Sequence, residues 1–361
     1  MDKRLIGKWE NNNKTEIINI FDDESLKVKV SFTEYGNLNC VPNCIYLDKD
    51  NLCFEFNDEY YRVVYHLYFE DNKIKGYYTQ FGNRFDIEYI KVSDVPEDGE
   101  FIYRPPHLYV PKSDKTRLEV LKDYSKYDSR CASLPQGEFI LGGLVPPILE
   151  KYNYNSYINM YESNSDDLVF SIFNFVCDNF KHNGLVPLKN NVTIQGLIEF
   201  CENNDGKANC RGLAILLSSL LRLNKIKARH ITCMPYEEPF QDCHVVVDCE
   251  LPSGKRIMLD PSFRTYLLDE NNECISLKQL REKLINEENI YFNKDASYNG
   301  GKIDKVYYIN YMTKNTFRFN RCNVFKEGYD KNDIQLIPLE YINLYNDKTL
   351  YTFNSDMFWE M

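Results

Sequence analysis

The stretch that decides the reading is Asn209-Cys210-Arg211-Gly212-Leu213-Ala214-Ile215-Leu216-Leu217. From Arg211 onward it consists of good helix formers, with apolar residues on nearly every face. A helix that is apolar all round is buried. Cys210 sits at the helix's N-terminal edge, after the polar loop Asn203-Asn204-Asp205-Gly206-Lys207-Ala208. A thiol there feels the positive end of the helix dipole, which favours the thiolate. The unpaired backbone N–H groups of the first turn can also hold an oxyanion.

Downstream, Asn224 to Thr232 reads as a loop into a strand. Asp242-Cys243-His244-Val245-Val246-Val247-Asp248 alternates as a strand, Pro252-Ser253-Gly254 is a turn, and Arg256-Ile257-Met258-Leu259-Asp260-Pro261 is a second strand stopped by proline. The hairpin register, counted from Ser253, sets Asp260 across from about Val246. His244 and Asp260 are then diagonal neighbours on one face. The order is a nucleophile at a helix start, an imidazole 34 residues on, and a carboxylate 16 further. A Cys–His–Asp triad needs those types, because the imidazole must take the thiol proton and the acid must fix its tautomer.

Asn209 to Ala214, then Ile226-Lys227-Ala228-Arg229, then His244-Val245-Val246, then Leu259-Asp260-Pro261 resemble the bacterial transglutaminase-like superfamily. The resemblance covers about Asp166 to Leu268. It implies a papain-like core of helix plus antiparallel sheet, with Cys210 as nucleophile, His244 as base and Asp260 as its orienter. It also implies peptide or protein amide substrates. The family includes transglutaminases, cysteine peptidases, amidases and inactive relatives. Many active members carry an upstream Trp or other aromatic that completes the oxyanion hole. The two tryptophans here, Trp9 and Trp359, lie outside that segment. The second oxyanion donor stays unassigned, with Gln195 and Asn174 only as guesses. His182 is expected to cap the helix begun at Asp166, with His230 and His182 also possible site neighbours. Arg211 and Arg229 are expected to pair with acids. Cys201, Cys233, Cys243 and Cys249 are expected to pack as small apolar residues.

Working outward to the N-terminus, Leu26, Val28, Val30 and Phe32 alternate with polar residues, as do Arg62 to Phe69 and Phe85 to Tyr89. Turn signals separate about eight such strands, the spacing of a sandwich or up-and-down barrel. Gly7-Lys8-Trp9 on the first strand resembles the start of lipocalin-like barrels. Prolines and acids between Ser93 and Lys115 mark a linker. A helix begins at Asp166 and is expected to end near Lys181-His182-Asn183-Gly184, and another covers about Ile194 to Cys201. Past Leu268, Ser276 caps a helix and the segments around Tyr307, Thr316 and Ile334 complete the domain. The fold class is α+β. The expected domains are a lipocalin-like barrel over 1–95, a linker with connecting helices over 96–160, and a transglutaminase-like domain over 161–361.

Lys and Arg number 43 against 54 Asp and Glu, a net charge of −11. That balance excludes nucleic acid or an anionic membrane as the main partner. No secretory h-region follows Met1 and no apolar run reaches membrane-spanning length. The 12 cysteines are then expected as cytoplasmic thiols. Cys40, Cys44 and Cys53 are read as strand cysteines rather than zinc ligands, so no metal and no cofactor is expected. The expected function is thiol-dependent acyl transfer on a peptide or protein amide, by hydrolysis or cross-linking. The alternatives are an inactive protein-binding module and a small-ligand carrier working through the barrel.

Overall fold

A computed structural model describes residues 3–22, 26–32, 38–49, 51–57, 62–80, 83–99, 115–130, 134, 137–188, 191–237, 240, 242–344 and 350–361. Pro105, Pro106 and Pro111 of the expected linker, and Cys131, lie outside the described residues. The chain divides into two compact units. One comprises 1–119, 237–241 and 301–311. The other comprises 120–236, 242–300 and 312–361. No helix among the described residues is long and apolar enough to cross a membrane.

In the first unit, period-two alternation becomes strands with one face inward. They are β1 (Gly7–Asn11), β2 (Glu16–Asp22), β3 (Leu26–Phe32), β4 (Leu38–Cys40), β5 (Cys44–Asp48), β6 (Asn51–Asn57), β7 (Arg62–Glu70), β8 (Lys73–Gln80) and β9 (Asn83–Ser93). They pair in the order β4-β3-β2-β1-β9-β8-β7-β6-β5, and every pairing is antiparallel. β4 and β5 follow one another across Val41-Pro42-Asn43. Pro42 has no N–H to give a ladder, while the Asn43 N–H donates to the Glu55 carbonyl at 2.9 Å. The two segments therefore act as halves of one bent strand, and the sheet is an eight-strand, nearly closed barrel.

Its interior is filled. Trp9, Phe54, Phe56, Tyr65 and Tyr89 are buried there with Ile18, Val28, Val30, Leu67 and Ile74. The Trp9 indole N–H donates to the Leu5 carbonyl at 2.8 Å. Phe54 stacks on Tyr65 with centroids 4.5 Å apart, and the Tyr89 hydroxyl donates to Glu16 at 2.8 Å. A carrier needs an apolar lumen, and eight strands leave space just sufficient for side chains. These aromatics occupy that space, which removes the ground for the carrier alternative.

The second unit is a helix-plus-sheet core. α1 (Asp166–Asn179) starts with Ser165 as N-cap and Asp166 and Asp167 in its first turn, where acids suit the dipole. It stops at Asn179, short of the expected Lys181–Gly184. Phe180 is extended, and Lys181–His182 (β10) instead pairs in parallel with Lys207–Ala208 (β11). The Lys181 N–H donates to the Gly206 carbonyl at 2.9 Å and the Asn183 N–H to the Ala208 carbonyl at 2.8 Å. Asp205 and Gly206, at φ 54° and 75°, make the left-handed turn into β11; glycine takes that conformation without steric cost. α2 (Ile194–Glu202) is capped by Thr193.

α3 (Cys210–Leu223) follows β11 directly, and its N-cap Asn209 accepts the Gly212 N–H at 2.9 Å. It packs its apolar residues on β12 (Ala228–Met234) and β13 (His244–Glu250). With β14 (Arg256–Leu259), β15 (Arg318–Arg321), β16 (Ile334–Leu336) and β17 (Leu350–Thr352), these form a sheet ordered β14-β13-β12-β15-β16-β17. Pairing is antiparallel except between β16 and β17. α4 (Leu277–Ile285) opens with a capping box of Ser276 and Gln279.

Candidate active site

Cys210 is the first residue of α3, held there by the Asn209 cap. β13 and β14 are in the register Val247↔Leu259 and Asp248↔Met258. One step further this sets Asp260 opposite Val246, so His244 is its diagonal neighbour. Asp260 bends off β14 at Pro261. Its backbone bridges Thr265 in both directions, at 2.7 and 3.0 Å, and its Oδ1 accepts the Ser262 N–H at 3.0 Å. Its Oδ2 lies 2.7 Å from His244 Nε2. Both side chains are buried, at 1% and 0% exposure.

Nε2 being engaged by Asp260, His244 has Nδ1 to turn toward the Cys210 thiol, which its imidazole helps to lower. The structure thus brings Cys210, His244 and Asp260 together. Burial alone would push the Cys210 thiol up. Hydrogen bonds with His182 and His244, and the charge of the imidazoles, outweigh it and bring the thiol down to about 6. Burial would likewise lower His244; the Asp260 carboxylate, then Cys210, raise it to about 10. Between those values the pair is a thiolate beside an imidazolium.

A second histidine adjoins the sulfur. His182 was expected to cap α1, but the α1 C-cap is Phe180. β10 carries His182 to the residues just before Cys210, where its ring helps to lower the thiol. His182 Nδ1 lies 3.0 Å from the Tyr298 hydroxyl. Asn299 clamps the His182 backbone from both sides: its Oδ1 accepts the His182 N–H at 2.8 Å and its Nδ2 donates to the His182 carbonyl at 2.9 Å. Phe263 closes the ring of aromatics, with centroids 5.1 Å from Tyr298 and 5.8 Å from His244. Sequence reasoning missed the weight of His182, Tyr298 and Phe263; the signal available was a histidine three residues past a helix end.

The remaining candidates are placed elsewhere. Gln195 Nε2 donates to Glu199 at 2.8 Å on an exposed face, and Asn174 Oδ1 accepts from Arg264 at 3.1 Å. Arg229 pairs with Asp248 in the interior, both at 0% exposure. Arg211 Nε donates to Asp330 at 2.7 Å, and His230 Nε2 lies 3.1 Å from the same carboxylate. Burial opposes ionisation of Asp330, but His230 and Arg211 hold its carboxyl well below the usual range. Cys201 and Cys243 rise to about 12 and 11, chiefly from burial, as packed thiols do. Cys40 and Cys53 are buried in the barrel and Cys44 is exposed. Among the described residues, His230, Cys322 and Asp330 place ligand atoms within 4.8 Å of one another. A metal there would have to displace Arg211 from the Asp330 carboxylate.

No curated protein matches the chain. A solved structure from Parabacteroides distasonis, named there as a presumed protease, is 11% identical, with a TM-score of 0.26. The match covers 59% of this chain and 42% of that one. So distant a likeness fixes nothing about activity. The family model of the transglutaminase-like superfamily matches residues 153–261, which span α1 through β14 and contain Cys210, His244 and Asp260. The chain carries a transglutaminase-like domain over these residues, and the nearly closed antiparallel barrel that precedes it in sequence is consistent with the lipocalin-like start expected there.

Proposed function

We propose that the second unit is a thiol acyl-transfer enzyme acting on peptide or protein amides. The observation that carries this reading is the connected set Cys210–His244–Asp260, with the thiol at a helix N-terminus and the carboxylate buried behind the imidazole. The Cys210 thiolate attacks the amide carbonyl carbon. The S–C bond forms and the C=O pair moves onto oxygen, where α3 first-turn N–H groups stabilise it. His244 gives its Nδ1 proton to the amide nitrogen, the C–N bond breaks, and the amine leaves. Water or a second amine, deprotonated by His244, attacks the thioester and restores the thiolate. Asp260 keeps the Nε2 proton and so holds the productive tautomer.

The rival is an inactive binding module that keeps the triad geometry without turnover; a sulfur beyond reach of His244 would favour it, and the lowered Cys210 thiol supports the enzyme instead. The test is incubation of the full chain with an acyl-donor probe, followed by peptide mass spectrometry. The expected result is a thioester adduct confined to Cys210 and lost in His244→Ala. An unmodified Cys210, or label spread over the other cysteines, would falsify the reading.

A further inference from the structure

Two donors hold an oxyanion better than one, and neither Trp9 nor Trp359 lies in the segment upstream of Cys210. Two histidines flank the same sulfur. They differ in what holds them from behind. His244 rests on a carboxylate, Asp260, which suits an imidazolium. His182 rests on a phenol, Tyr298, at 3.0 Å from Nδ1. With Nδ1 engaged there, Nε2 is the ring nitrogen left to meet the sulfur. A thiolate repels a nitrogen lone pair, so His182 must present Nε2–H to it. The Nδ1 lone pair then accepts the Tyr298 O–H, and the hydrogen bond made by one ring nitrogen sets the proton on the other. Burial, followed by the nearby Cys210, pushes the Tyr298 hydroxyl up to about 12, so it remains a donor at neutral pH. The ring cannot swing away readily. β10 pairs with β11 immediately before Cys210, and Asn299 grips the His182 backbone from both sides.

Resting on the acyl-transfer reading above, we infer that His182 is a catalytic residue whose Nε2–H is the second oxyanion donor, and that Tyr298 is the positioning residue that fixes its tautomer. A donor held next to the sulfur by the β10–β11 pairing lies on the side where the oxygen of a carbonyl bonded to that sulfur develops charge. His182 thus takes the place of the missing tryptophan, while His244 alone moves protons.

The test compares two reactions of Cys210 in the full chain. Iodoacetamide alkylates the thiolate: the S–C bond forms, iodide leaves with its pair, and no oxygen gains charge. p-Nitrophenyl acetate acylates it: sulfur adds to the carbonyl, an oxyanion forms, then collapses and expels p-nitrophenolate. Both rates are measured across pH and compared on their high-pH plateaus, where every variant is thiolate. His182→Ala is expected to lower the acylation plateau about 100-fold, the effect of losing one oxyanion donor, with the alkylation plateau unchanged. His182→Gln, which keeps an N–H donor, recovers part of the loss and serves where His182→Ala does not fold. Tyr298→Phe lowers acylation by less than His182→Ala, again sparing alkylation. Equal losses in both reactions, or no loss in acylation, overturn the role of His182. If the wild-type chain is not acylated at Cys210 above a Cys210→Ser control, the acyl-transfer reading itself fails before any His182 variant is needed.

Discussion

Asp260→Asn removes one charge from the buried site and almost nothing from its shape. Asp260 Oδ2 lies 2.7 Å from His244 Nε2, and Oδ1 accepts the Ser262 N–H at 3.0 Å. With the charges centred about 4 Å apart and an effective dielectric near 20, the lost attraction is ~4 kcal/mol. At about 1.4 kcal/mol per unit, this is roughly three pH units. His244, held at about 10 in the native protein, is expected to fall by that amount. The sign follows from the charge: the carboxylate stabilises the imidazolium, so its loss lowers the pKa and shortens the ion-pair window from its alkaline end. A second effect follows from the geometry. If the asparagine carbonyl keeps the Ser262 N–H, its NH2 group faces Nε2. The neutral imidazole must then carry its proton on Nδ1, pointing at a thiol it can no longer deprotonate. The assay is an NMR titration of the histidine Cε1 signals in 13C-histidine-labelled protein; the chain has five histidines. A wild-type His244 midpoint below 7, or a midpoint unmoved by Asp260→Asn, would refute the reasoning.

Three further outcomes are expected. Iodoacetamide labelling of Cys210 should rise through a midpoint near pH 6, because that thiol is lowered to about 6, while Cys201 and Cys322, raised to about 12 and 11, stay unlabelled; equal labelling of all three at pH 7, read by mass spectrometry, contradicts this. Trp9→Ala empties the barrel centre and should cost about 3–5 kcal/mol, seen in hydrogen exchange as lost protection in barrel peptides with the peptide around Cys210 unaffected; a loss spread evenly over both would count against it. Asp248→Asn leaves the fully buried Arg229 and its neighbour Arg256 without their shared carboxylate, at a cost of about 3–5 kcal/mol, measured as a lower denaturation midpoint; a change under about 1 kcal/mol would show that the charge is not what matters there.

The parts of the site written in local signals were legible in the sequence. α3 and its cap occupy adjacent residues, and the β13–β14 register follows from counting outward from a turn at Ser253. The observed ladder runs to Val247↔Leu259, in step with that count, and Asp260 follows as the next residue. The barrel strands follow from period-two alternation, and Trp9 from the glycine-x-tryptophan start. What was illegible depends on contacts between distant segments. Nothing near His182 says that Lys181–His182 will leave a helix and pair with Lys207–Ala208. Tyr298 and Phe263 reach the site from outside the helix and hairpin, and only the folded chain sets their rings beside the two imidazoles. The bend that makes one strand of Leu38–Cys40 and Cys44–Asp48 is likewise visible only through their different partners, β3 and β6.

The β10–β11 pairing is a two-residue ladder, and its shortness carries a kinetic meaning. The Lys181 and Asn183 amides donate across it, and Asn299 holds the His182 backbone separately, so His182 leaves the sulfur only when both sets of bonds open together, with α3, β13 and β14 still folded. Such a site breathes locally, on the timescale of opening a ladder and not of unfolding a domain. Exchange of these two amides therefore measures how often the ladder opens, and sets an upper bound on how often Cys210 is left with His244 alone.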